Sequence, residues 1–146
     1  ININEEIKEV DIFEKLKKYK KNYSNFFIIA AHPYFPGKNT LKKNLEKHIE
    51  LFDAIEHSFC YTSTINFNKK AIKIGKKYNK PILATADCHI LSYLNIGYIK
   101  VDAQKDAKSI FKAIKEGNYK NHTKKTSYFR ITRMIIQLTW QNLFKK

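Results

Sequence analysis

The sequence predicts an α/β fold built on mainly parallel strands, and three observations lead to this prediction. Short apolar runs alternate with segments of about a dozen residues in which apolar side chains recur at helical spacing. The runs at 26–31 and 82–86 are apolar on both faces, as is typical of strands that are covered on both sides. The chain has 146 residues, of which 43% are hydrophobic, so one domain with a substantial core is expected.

The first half of the chain contains three predicted helices and two predicted strands. A helix is expected over 4–20, followed by the strand at 26–31, which ends at His32. Thr40 is suited to cap a second helix that reaches Phe52. A short strand at 53–57 and a third helix at 68–79 follow.

The second half continues the alternation. Pro81 stops the third helix and opens the strand at 82–86, and a further strand is predicted at 96–101. Asp102 is suited to cap a helix that Gly117 closes. The last segment, about 128–144, has a broad apolar face opposite basic residues and is predicted to be an amphipathic packing helix. We therefore divide the chain into an α/β domain at 1–117 and a basic tail at 118–146.

Composition excludes several classes of protein. Aromatic residues at 14% exclude a wholly disordered chain, and 4 Gly with 3 Pro exclude collagen-like and low-complexity chains. The two cysteines, Cys60 and Cys88, form no CxxC motif, which favours a reducing, cytoplasmic location. The sequence contains no secretory signal and no apolar run long enough for a membrane span. Since the chain begins with Ile1 rather than Met, we expect a processed chain or a piece of a longer protein.

The charge is strongly positive, with 28 basic and 13 acidic residues and a formal net charge of +15. All but Arg130 and Arg133 of the basic residues are lysines, which favours a lysine-coated, solvated surface over a dedicated nucleic-acid site. No acidic residue follows Glu116, however, so the tail is the most suitable segment for binding nucleic acid or another polyanion. Association of the tail helix with a membrane surface is a third interpretation of the same segment.

Residues that can bind metal or move protons follow three of the predicted strands. His32 ends the first, Glu56 and His57 lie at the end of the second, and Asp87 with His89 ends the third. In α/β folds the carboxyl ends of parallel strands meet on one side, so these side chains are expected to converge there. Imidazole and carboxylate donors together suit Zn²⁺, Mn²⁺ or Fe²⁺.

Four motifs occur in order in this part of the chain and together resemble one known family. They are Ile28-Ile29-Ala30-Ala31-His32-Pro33, Asp53-Ala54-Ile55-Glu56, Asn68-Lys69-Lys70-Ala71, and Lys80-Pro81-Ile82-Leu83-Ala84-Thr85-Ala86-Asp87-Cys88-His89, with Gly97 soon after. This series is similar to the C-terminal half of the PHP (polymerase and histidinol phosphatase) domain. The resemblance implies part of a distorted (β/α)7 barrel with a cluster of divalent metal ions.

The resemblance also implies roles for single residues. His32, Asp87 and His89 match the family's metal ligands, whereas Glu56 is expected to position water or a neighbouring ligand, and His57 is a further catalytic candidate. Ala86 and Cys88 replace the usual Ser and Ala of the family pattern, and His57-Ser58-Phe59 replaces its usual segment with an Asn. The family's N-terminal ligands have no counterpart here, since no His precedes His32.

The resulting functional hypothesis is a metal-dependent phosphoesterase, of which this chain forms the C-terminal, ligand-bearing part. Its metal ions would be Mn, Zn or Fe, and its substrate a phosphorylated small molecule, a nucleotide or an oligonucleotide end. Open strand edges suggest that the chain associates with a missing N-terminal half or with itself. The alternative is a degenerate, non-catalytic PHP module that binds nucleic acid or another polyanion through its lysine-rich tail.

Overall fold

The computed structural model describes residues 9–23, 26–36, 40–88, 91–133, 136 and 140. The elements, in chain order, are helix α1 (Glu9–Asn22), strand β1 (Ile29–Ala30), helix α2 (Lys43–Lys47), a 3₁₀ turn (Ile49–Leu51), strand β2 (Ala54–Ser58), helix α3 (Asn68–Lys77), strand β3 (Ile82–Thr85), a 3₁₀ turn (Leu91–Tyr93), strand β4 (Gly97–Val101), helix α4 (Ala107–Glu116) and strand β5 (Tyr119–Thr123). Residues 128–133 are also helical. No helix in the described ranges has the length and apolar character needed to cross a membrane.

The strands form two separate sheets. Strands β1, β2 and β3 are parallel and lie side by side in that order, whereas β4 and β5 form an antiparallel hairpin. The mixed α/β class and the parallel core are therefore confirmed. The described residues contain no closed barrel, so the expected (β/α)7 architecture is not confirmed.

Both faces of the central strand β2 are covered, and four of its five residues are buried. Ala54 and Ile55 are both fully buried but point to opposite faces, as successive strand residues do. Ile55 packs in a cluster with residues from α1, α2 and α3, including Phe13, and Ala54 packs in another with Leu83. The second cluster includes Ile114 of α4 and side chains of the β4–β5 hairpin.

Several local predictions were wrong at element ends. The second helix is broken at His48 and begins after Lys42, which makes no capping side-chain bond, so Thr40 is not its cap. Asp106, rather than Asp102, caps α4 by accepting a hydrogen bond from the Ser109 backbone N–H. Gly117 closes α4 in the left-handed conformation (φ 82°), as predicted.

The segment assigned to the basic tail contains a strand that was not predicted, β5. The helical residues 128–133 follow it, and Ile131 packs against a cluster that includes Phe59 and Tyr93. Of the other residues on the predicted apolar face of the tail, Trp140 is 63% exposed. Met134, Ile135, Leu138 and Leu143 lie outside the described residues.

Candidate metal centre at the carboxyl ends of the parallel strands

Two of the predicted ligands meet at one end of the parallel sheet. His32 follows β1 and Asp87 follows β3, and the Nε2 atom of His32 lies 3.9 Å from the Oδ2 atom of Asp87. β2 lies between these two strands, so the side chains reach each other across its carboxyl end. Both side chains are partly exposed, at 29% for His32 and 39% for Asp87, so the pair is accessible from solvent.

The side chain of Glu56 connects the strands at this end of the sheet by hydrogen bonds. Its side chain is 3% exposed, and one carboxylate oxygen accepts a hydrogen bond from the backbone N–H of His32. The other oxygen accepts a hydrogen bond from the hydroxyl of Thr85, at the end of β3. One buried carboxylate on the central strand thus connects the ends of both neighbouring strands. Its contact on β3, Thr85, lies two residues before Asp87.

His32 and Asp87 also share an unusual backbone conformation. Their φ angles are +22° and +42°, in the left-handed region that side-chain-bearing residues seldom adopt. Asp and His are among the residues that enter this region most often. The chain therefore turns sharply two residues past the end of β1 and two residues past the end of β3, and each turn brings its side chain to the end of the sheet.

The ring of His32 has one nitrogen with no partner among the residues that the structure describes. Its Nδ1 atom is buried and forms no hydrogen bond with the described part of the chain, while Nε2 faces Asp87. The ring lies edge-on to Phe35, with ring centroids 6.1 Å apart, and Phe35 in turn lies edge-on to Phe67 at 5.8 Å. An aromatic wall therefore borders the pair on one side.

His57 is placed differently from the other candidates. It follows Glu56 on β2, so its side chain points to the opposite face of the sheet. There it lies edge-on to Tyr61, with centroids 5.1 Å apart, and its Nδ1 atom is buried without a hydrogen-bond partner in the described ranges. Burial lowers the pKa of His57, which favours its neutral form. The structure does not bring His57 together with His32 and Asp87.

The remaining predicted ligand, His89, lies outside the described residues. Among the residues that the structure does describe, no group of three His, Cys, Asp or Glu side chains is arranged to hold a metal ion. Thr85 belongs to the cluster but was not identified from the sequence. Its only signal was its position two residues before Asp87 on the same predicted strand.

One comparison with known proteins bears on this site. Residues 66–119 match the protein-family model described as PHP-associated, and this confirms the resemblance to the C-terminal region of the PHP family. The matched segment includes α3, β3, Asp87, β4 and α4, whereas His32 and Glu56 precede it. No curated protein matches the chain.

Proposed function

We propose that this chain supplies part of the metal centre of a metal-dependent phosphoesterase. The premise is the match of residues 66–119 to the PHP-associated family model. The observation that supports the proposal best is the approach of His32 and Asp87 at the carboxyl ends of two parallel strands. Catalytic groups in α/β folds are usually found at this end of the sheet. The substrate class is a phosphorylated small molecule or a nucleotide.

The donor atoms of the pair fit a divalent transition-metal ion. A separation of 3.9 Å between Nε2 and Oδ2 is too long for a hydrogen bond but less than the sum of two metal–ligand bonds, about 4.2 Å. One imidazole nitrogen and one carboxylate oxygen are donors that Zn²⁺, Mn²⁺ and Fe²⁺ accept. We propose His89 as the third donor.

The roles of the residues follow from their contacts. His32 and Asp87 bind the ion, and Glu56 fixes the backbone of His32 and the hydroxyl of Thr85, which orients both ligand-bearing turns. A divalent ion held here would supply Lewis-acid chemistry, which neutralises phosphoryl oxygens and lowers the pKa of water. The aromatic wall of Phe35 and Phe67 limits solvent access on one side.

Two described donors do not saturate a metal ion, so the proposal includes a source of further ligands. They would come from a preceding segment of a longer protein or from a second copy of this chain. β1 is the edge strand of the parallel sheet, and the described residues place no strand on its outer side. A strand added there parallel to β1 would place its carboxyl end beside His32.

The proposal is tested first by metal binding rather than by activity. The purified chain is loaded with Mn²⁺ or Zn²⁺, desalted and analysed for metal, beside the variants His32→Ala and Asp87→Asn. We expect bound metal in the parent chain and at least a tenfold loss of affinity in both variants, because each removes a donor. His122→Gln, which alters a histidine on another sheet, is the matched control and should bind metal like the parent.

Hydrolysis of 4-nitrophenyl phosphate and bis(4-nitrophenyl) phosphate is then measured on the loaded chain and on its longest native form. Activity that requires metal and disappears in His32→Ala supports the proposal. Metal binding equal in the parent chain, His32→Ala and Asp87→Asn would overturn the assignment of these ligands. Metal binding without hydrolysis in the longest native form would overturn the phosphoesterase and leave a metal site.

A further inference from the structure

The β4–β5 hairpin has two chemically different faces. Its inner face contacts the rest of the protein: Ile99, Val101 and Tyr119 pack against the buried cluster that contains Ala54. Its outer face carries no aliphatic side chain. The outer positions are Tyr98, Lys100, Lys120 and His122, which alternate with the inner residues along each strand.

An aromatic platform lies on this outer face. Tyr98 is directly opposite His122 in the strand register, and their rings are stacked in parallel, with centroids 4.7 Å apart and planes 5° apart. Tyr98 remains 38% exposed. The Nε2 atom of His122 is buried and has no hydrogen-bond partner in the described protein.

Two like charges lie next to this platform. Lys100 and Lys120 are also directly opposite each other in the register, and both are exposed. Opposed cations on one face of an antiparallel pair repel each other and destabilise the hairpin. Among the described residues, neither ammonium group has a carboxylate within ion-pair distance, and the nearest acidic residue along the strand is Asp102.

The positive charge continues past the end of the hairpin. Lys124 and Lys125 follow β5 directly and are exposed. A groove of about 560 Å³, within the size range of small-ligand sites, is lined by Asn95, Tyr98, His122 and Lys124 among others. A stacking surface, a groove and four lysines therefore adjoin one another on the hairpin and on the two residues that follow it.

We propose that the outer face of the β4–β5 hairpin binds single-stranded nucleic acid. A base stacks on the Tyr98–His122 platform, and the phosphates on either side pair with Lys100, Lys120 and Lys124. The bound phosphates relieve the repulsion between Lys100 and Lys120. This surface does not depend on the proposed metal centre, and it would operate whether or not the chain hydrolyses phosphoesters.

The observations favour a single strand over other polyanions. In a duplex the bases are stacked on one another, so their faces are not available to Tyr98. An acidic peptide could pair with the lysines but would leave the ring platform unused. Only a flexible polyanion with accessible aromatic bases uses both halves of the surface.

The test measures binding of fluorescein-labelled 12-nucleotide single strands, oligo(dT) and oligo(U), to the full chain by fluorescence anisotropy across a range of salt concentrations. We expect Tyr98→Ala to weaken binding about tenfold, because alanine removes the stacking surface. Tyr98→Phe should bind like the parent. The double variant Lys100→Gln/Lys120→Gln should reduce the slope of log K against log salt by about 1.4, because two phosphate contacts are lost.

Matched controls separate this surface from the general positive charge of the chain. Lys69→Gln/Lys73→Gln removes two exposed lysines from α3, and Tyr23→Ala removes an exposed tyrosine beyond α1. Both should retain the parent affinity and salt slope to within about twofold. Circular dichroism and thermal unfolding confirm that each variant is folded.

Three results would overturn the proposal. The first is a loss of affinity in the α3 double variant equal to that in the hairpin double variant, which would show binding by net charge alone. The second is an unchanged affinity in Tyr98→Ala. The third is competition by poly-glutamate or inorganic polyphosphate as effective as that by the unlabelled oligonucleotide, since neither competitor carries bases.

Discussion

The two edges of β3 are bordered in different ways. On one edge β2 forms a parallel ladder in which Ile55 to Ser58 are aligned with Ile82 to Thr85. On the other edge side chains of β5 take the place of a strand: the Tyr119 hydroxyl accepts a hydrogen bond from the Ile82 N–H. The side-chain amide of Asn121 accepts from the Ala84 N–H and donates to the Ile82 carbonyl, both at 2.7 Å.

This difference explains why the parallel sheet stops at β3 in the described part of the chain. Asn121 presents one N–H and one C=O to β3, as a peptide group of a neighbouring strand would. The backbone groups of Ile82 and Ala84 on this edge therefore have hydrogen-bond partners without another parallel strand. The hairpin is attached as a separate sheet. The ladder edge is buried and includes Glu56, whereas the side-chain edge is partly open to water. A substitution on the ladder edge should therefore lower the free energy of unfolding more than one on the side-chain edge.

The largest effect is expected for Glu56→Ala, on the ladder side. The change leaves the His32 N–H and the Thr85 hydroxyl, which are both partly buried, without their acceptor, and each loss costs about 1–3 kcal/mol. We expect the free energy of unfolding to fall by about 3 kcal/mol in urea denaturation. Glu50→Ala, an exposed acid before β2, is the control and should change stability by less than about 0.5 kcal/mol. A loss below about 1 kcal/mol for Glu56→Ala would mean that Glu56 does not hold the strand ends.

A smaller effect is expected for Gly97→Ala, at the junction of β3 and the hairpin. A Cβ atom on Gly97 would lie 2.6 Å from the backbone carbonyl oxygen of Thr85, which cannot move aside like a flexible side chain. The strands must shift apart, at a cost of about 2 kcal/mol. Gly117→Ala is the matched control, because it has open space around it and only a positive φ, worth about 1 kcal/mol. Equal melting temperatures for the two variants would contradict the close approach.

Asn121→Ala should have a smaller effect again, on the side-chain edge. It removes both hydrogen bonds to β3, but water can reach the freed groups, so we expect a loss of about 1 kcal/mol. Hydrogen exchange at the Ala84 amide should accelerate, while exchange in the β2–β3 ladder should not. Asn118→Ala, in the turn before β5, serves as the control. Unchanged exchange at Ala84 would show that Asn121 does not close this edge.

The smallest expected effect concerns Tyr128, the first of the helical residues 128–133. Hydroxyl groups of Thr62, Thr64 and Ser63, in the loop after β2, lower the pKa of Tyr128 to about 8. Absorbance at 295 nm should therefore show one tyrosine that titrates near pH 8, and Tyr128→Phe should remove this step. Because the folded-state pKa lies below the unfolded value of about 10, the contribution of ionised Tyr128 to stability increases from pH 8 to pH 10. A titration of the parent chain without this step would contradict the contact.

Much of the fold was predictable because its elements carry local signals. Apolar runs marked β1 and β3, a short strand was predicted at 53–57 where β2 lies, and helical spacing marked α1, α3 and α4. The strand β5 was missed because its sequence, Tyr-Lys-Asn-His-Thr, has no apolar alternation. It exists through its pairing with β4 and through the contacts of Tyr119 and Asn121 with β3, which no local pattern reveals.

The site was predictable to the extent that parallel strands place their ends together. That rule anticipated the meeting of His32 and Asp87, although 55 residues separate them. It did not anticipate Thr85, whose partner, Glu56, lies on another strand. It also could not choose between Glu56 and His57. Strand alternation places the two side chains on opposite faces, but only the structure shows that Glu56 is the one that reaches His32.

The left-handed turns at His32 and Asp87 cost backbone strain, but the side chains at these positions carry donor atoms that glycine would lack. Glycine adopts such φ angles without steric cost, so at either position it would relieve about 1 kcal/mol of backbone strain while offering no donor atom. The Glu56 hydrogen bond to the backbone at position 32 would survive that exchange. Laboratory evolution for heat resistance alone should therefore enrich glycine at these two positions, and the retention of His and Asp would mark them as residues kept for what their side chains do.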